Sequence, residues 1–148
     1  MNKILIEVYS LCNNTTISRE KRTMANIILI LIGASLTILW GISHLIPTKN
    51  VVKDFGEISQ DNKYIITMEW IIEGLSLIFI GLLVILIALI GGVENTTSQY
   101  VFLISSIMLF VLAVLSLFTG FKVNFIPFKL CPVIFTVSAV LILLGSCL

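Results

Sequence analysis

At 148 residues and a net charge of +1, the chain has room for one domain and offers no electrostatic case for nucleic acid or an acidic partner. Hydrophobic residues make up 58% and charged residues 11%, with a mean hydropathy of +1.12. A soluble domain is about half apolar and about a quarter charged, so this composition excludes an ordinary soluble fold and indicates a chain built for lipid.

Residues 1–23 hold Asn13, Asn14, Thr15, Thr16 and Ser18, then the cluster Arg19, Glu20, Lys21 and Arg22. They read as a disordered polar lead-in, and Met24, immediately before the first apolar run, reads as an alternative start. Four runs then reach or approach the roughly 20 residues that a helix needs to cross about 30 Å of hydrocarbon. They cover residues 25–46, 65–90, 100–121 and 130–148. Backbone groups in lipid must be paired within the segment, and none of the runs alternates polar with apolar as a membrane barrel requires. The expected fold is therefore all-α, a four-transmembrane-helix bundle over residues 24–148.

The connections differ in length. Residues 47–64 are the longest and carry Lys49, Lys53, Asp54, Glu57, Asp61 and Lys63. Val51, Val52 and Phe55 within them fit one apolar turn lying on the membrane surface, and Asp61 or Asn62 fits the N-cap of the second helix. Residues 91–99 form a tight polar turn opened by Gly91 and Gly92, and Lys122, Pro127 and Lys129 mark another short connection. Four crossings return the chain, so both ends of the membrane domain are expected on one face. The positive-inside rule leaves orientation open: Lys3, Arg19, Lys21 and Arg22 stand on one side, and Lys49, Lys53, Lys63, Lys122 and Lys129 on the other.

The cysteines exclude a chemistry. Cys131 and Cys147 are 16 residues apart on one expected helix. That is about 24 Å at the helical rise, too far to bridge. With no Cys-x-x-Cys motif, the chain does not fit the quinone-linked thiol oxidoreductases, and its cysteines read as small hydrophobes.

Two carboxylates, Glu69 and Glu73, stand at i,i+4 near the start of the second run. A charge at the bilayer centre costs about 2.5–3.5 kcal/mol on insertion scales, so something must compensate. The only histidine, His44, lies at the matching end of the first run. The expected antiparallel pairing puts His44 level with Glu69 and Glu73 one turn deeper. Such a trio could hold and release a proton near neutral pH, or serve only as solvated helix ends. Gly33, Thr37 and Gly41 on the first helix, with Gly74, Gly81 and Ala88 on the second, are small residues that permit close approach in lipid. Trp40, Trp70 and Tyr64 fit interfacial anchors, and the two tryptophans fit walls of a pocket beside the trio. No cofactor or metal is expected, since no spaced His pair or second ligand cluster accompanies the trio.

The stretch from His44, Pro47 and Thr48 through Phe55, Gly56 and Ile58 to Met68, Glu69, Trp70, Glu73 and Gly74 resembles a pattern in uncharacterised small four-helix membrane proteins of microbes. The architecture is similar to the DoxX-like group, which implies a multi-pass protein of a microbial cell membrane. Three readings follow from the residues. The first is a non-enzymatic protein whose pocket of His44, Glu69, Glu73, Trp40 and Trp70 binds a small amphiphile or stabilises a membrane assembly, including a homo-oligomer. The second is a proton-coupled carrier of a small cationic or hydrophobic solute. The third is a membrane enzyme using a glutamate as acid or base on a lipid or isoprenoid.

Overall fold

A computed structural model describes the backbone of residues 2–122 and 126–148, with side chains from residue 20 onward in those ranges. Among the described residues five helices form: α1 (Asn2–Leu45), α2 (Thr48–Asp54), α3 (Gln60–Ile90), α4 (Thr96–Gly120) and α5 (Ile126–Cys147). Four have the length and composition to cross a membrane, α1 through its Glu20–Leu45 portion. The chain is a multi-pass, all-α membrane protein.

Helices α3, α4 and α5 start a turn or so earlier than the apolar runs, each for a local reason. Ser59, rather than Asp61 or Asn62, caps α3: its side chain accepts from the Asn62 N–H at 3.3 Å. Asp61 then falls in the first turn, where the helix dipole favours an acid. Asn95 caps α4, its side chain accepting from the Thr97 N–H at 2.8 Å. Pro127 lies in the first turn of α5, where a missing N–H costs little. The backbone of the lead-in is helical from Asn2 and continuous with α1. Glu20, Lys21, Arg22, Met24 and Ala25 are good helix formers, and propagating an existing helix is far easier than nucleating one.

The surface turn expected at Val51, Val52 and Phe55 is the short helix α2. Val51 is buried against the protein, and Phe55 is left exposed.

Helix α1 lies in the middle, packed on α3 along one side and α5 along the other, and α4 packs on α5. Helices α3 and α4 touch little although the 91–95 turn joins them, so the spatial order is α3, α1, α5, α4. Small residues make these contacts possible. A Cβ added to Gly41 would lie 2.6 Å from the Gly74 carbonyl oxygen, and one added to Gly74 would lie 2.9 Å from that of Gly41. The α1–α3 crossing is therefore a reciprocal glycine contact. At the α4–α5 contact, Pro132 has no N–H to give the Phe128 carbonyl, and that oxygen lies against Gly120, where a Cβ would collide with it.

At one end of the bundle Thr23 Oγ1 donates to Glu94 Oε1 at 3.0 Å. Gly145 packs there against Asn26. The start of the α1 span, the α3–α4 turn and the end of α5 therefore share one face. His44, Trp70 and Phe128 gather at the opposite face.

Candidate functional site

His44 is placed by the last turn of α1 and is 4% exposed. Its Nδ1 lies 3.0 Å from the Trp40 carbonyl oxygen. A carbonyl can only accept, so Nδ1 carries the hydrogen. Nε2 then faces Glu73, with Oε1 at 3.5 Å. The contact links the end of α1 to α3 through two ionisable side chains.

The backbone of His44 is held as firmly as its ring. Helix C-termini leave carbonyls unpaired, and Pro47 cannot supply an N–H to the last turn. The His44 carbonyl instead accepts from the Trp70 indole N–H of α3. Thr48 Oγ1 lies 2.9 Å from the Leu45 carbonyl and 3.2 Å from that of His44. The imidazole also packs on the Trp70 ring at 5.0 Å between centroids and meets Trp40 edge-on at 5.7 Å. Trp70 is 8% exposed, so it is a clamp between α1 and α3, whereas Tyr64 is exposed as an anchor would be.

The two glutamates separate. The buried stripe of α3 runs through Trp70, Gly74, Leu77, Gly81, Val84 and Ala88. At about 100° per residue, Glu73 lies about 60° from the middle of that stripe and Glu69 about 100°. Glu73 accordingly reaches His44 with its side chain 38% exposed. Glu69 is exposed and stands outside the cluster, as does Ser76. His44 thus lies between the levels of Trp70 and Glu73, close to the depth expected from the run ends, and it is direction around α3 that separates the two glutamates.

Beside the pair lies a cavity of about 240 Å³. Trp40, Trp70 and Phe128 supply aromatic walls, with the Trp70 and Phe128 rings 5.2 Å apart and close to perpendicular. Ser43, His44 and Cys131 add polar groups, and Pro47, Pro127 and Leu130 complete the lining. Trp40 Nε1 is buried beside the Cys131 sulfur, and the Cys131 thiol donates to the Pro127 carbonyl at 3.5 Å.

Sequence reasoning missed Phe128, Cys131, Ser43 and the prolines because α5 shows no charge or motif that ties it to the end of α1. Pro47 and Pro127 were the available signal: both mark helix ends, and helix ends on one face can meet. Cys131 and Cys147 are both free thiols. Among the described residues no group of three His, Cys, Asp or Glu side chains is placed to hold a metal ion. No family model, curated protein or solved structure matches this chain.

Proposed function

We propose that the protein is a non-enzymatic membrane protein that binds a small amphiphile in the cavity beside His44 and Glu73. The observation that carries this reading is the aromatic-walled space at the helix ends, next to a buried histidine held by a carboxylate. An amphiphile placed there keeps its apolar part against Trp40, Trp70 and Phe128 and its polar end toward the membrane face. Four-helix, DoxX-like architecture and residence in a microbial cell membrane belong to the same proposal. A diazirine-bearing alkyl probe, photolysed with the protein in nanodiscs, tests it. Peptide mapping should find label at residues 40–47 and 127–131, and label spread evenly over lipid-facing positions would reject the site.

The contact between His44 Nε2 and Glu73 Oε1 supports a second reading, proton-coupled carriage of a small solute, because it joins two ionisable side chains across two helices beside the cavity. Flux into liposomes driven by an imposed pH gradient, and abolished by Glu73→Gln, would favour carriage over static binding.

A further inference from the structure

We propose that the cavity at the end of α1 takes an organic cation, a quaternary or alkylated ammonium group. This rests on the reading of the cavity as a ligand site. Two independent features favour positive charge there. Trp40, Trp70 and Phe128 line the space, and aromatic rings attract ammonium groups through their electron-rich faces. The last turn of α1 brings the negative end of its dipole, and the lining residue Pro47 leaves the Ser43 carbonyl without its helical donor. The α5 N-terminus across the cavity is weakened as a positive pole, because Pro127 in its first turn carries no N–H.

Charge balance permits a cation: among the described residues no lysine or arginine lines the cavity. Its one basic side chain, His44, gives Nδ1–H to the Trp40 carbonyl and turns Nε2 to Glu73. Glu73 thus stands behind the imidazole, one ring away from an incoming cation. The ligand can be a lipid headgroup or a free lipophilic amine, since both present the same ammonium.

The chain's two tryptophans both line the cavity, so tryptophan emission reads its occupancy. The full chain is placed in nanodiscs of digalactosyldiacylglycerol, which is neutral and carries no ammonium. Benzyltrimethylammonium is titrated alongside neopentylbenzene, which has carbon in place of the charged nitrogen, and the two are compared at equal membrane-bound concentration. The cation should change emission saturably, with the hydrocarbon at least about tenfold weaker, as expected for a desolvated cation–π contact. Glu73→Gln and Phe128→Leu should each raise the half-saturation of the cation about five- to tenfold and leave that of the hydrocarbon unchanged. Glu69→Gln should alter neither.

Equal binding of the two probes overturns the cation assignment while leaving a ligand site. So does an unchanged half-saturation in both variants, or an equal loss with Glu69→Gln. No saturable change with either probe overturns the ligand site itself. Replacing half the lipid with phosphatidylcholine separates the sources. A raised half-saturation identifies a choline headgroup as the occupant, and an unchanged one identifies a free amine.

Discussion

The α1–α3 and α4–α5 interfaces use the same packing device for different ends. Both bring helices close through small residues: Gly41, Gly74 and Gly81 in the first, and Ser105, Ser106, Ala113 and Gly120 of α4 in the second. In lipid there is no hydrophobic gain from helix association, so close van der Waals packing carries both. The first interface ends in directional contacts, with His44 on Glu73 and the Trp70 indole on the His44 carbonyl. In the second, the buried Ser106 hydroxyl has no hydrogen-bond partner, and neither has that of Ser138, whose backbone meets Gly33 of α1. Small side chains there serve as small side chains. Polarity in a membrane helix therefore marks a site only where it is directed at a partner on another helix.

The largest test of that contrast is Gly74→Leu. The new side chain meets Leu45 and the Gly41 carbonyl, so α1 and α3 must separate. Overpacking of this kind costs about 1–3 kcal/mol, and thermal unfolding in detergent should show it. The His44–Glu73 contact should be lost with it, since the glycine crossing sets the distance between those side chains.

Trp70→Phe is a smaller perturbation. It keeps a ring against His44 but removes the indole hydrogen bond, for an expected loss of about 0.5–1.5 kcal/mol in the same assay. If stability is unchanged, the Trp70 N–H is not what ties α3 to the end of α1.

The two glutamates sharpen the comparison within one helix. Glu73→Gln should keep the fold, because the amide is isosteric and still hydrogen-bonds, while Glu73→Lys should lower the yield of folded protein by placing a cation against His44. Both changes at Glu69 should be tolerated. Folded yield by size-exclusion chromatography measures this, and equal sensitivity at the two positions would remove the distinction between them. The smallest effect is expected for Ser106→Ala and Ser138→Ala, each within about 0.5 kcal/mol of the parent, because neither hydroxyl has a partner to lose.

Legibility followed the range of the physics. The number of spans was readable because lipid admits only helices of a fixed minimum length. Small-residue stripes were readable because helical periodicity is local, and Gly74, Gly81 and Ala88 are buried as their spacing implied. The i,i+4 spacing of Glu69 and Glu73 promised a shared face, yet a shared face is broad, and the 40° between them was enough to leave one outside. Burial of Trp70 was less legible, because a tryptophan near a helix end suits both a headgroup and a partner helix.

The sequence by itself determined the membrane setting, the four crossings, the faces that can approach and the ionisable residues available to a site. Those depend on composition and on geometry within one helix. Only the tertiary structure decided that α1 sits between α3 and α5, that His44 meets Glu73 and not Glu69, and that Trp70 and Phe128 close a cavity with Trp40. Those depend on which small residue meets which across helices, here Gly41 on Gly74 and Gly33 on Ser138. Several registers satisfy the same stripes, and close packing of the whole bundle selects one.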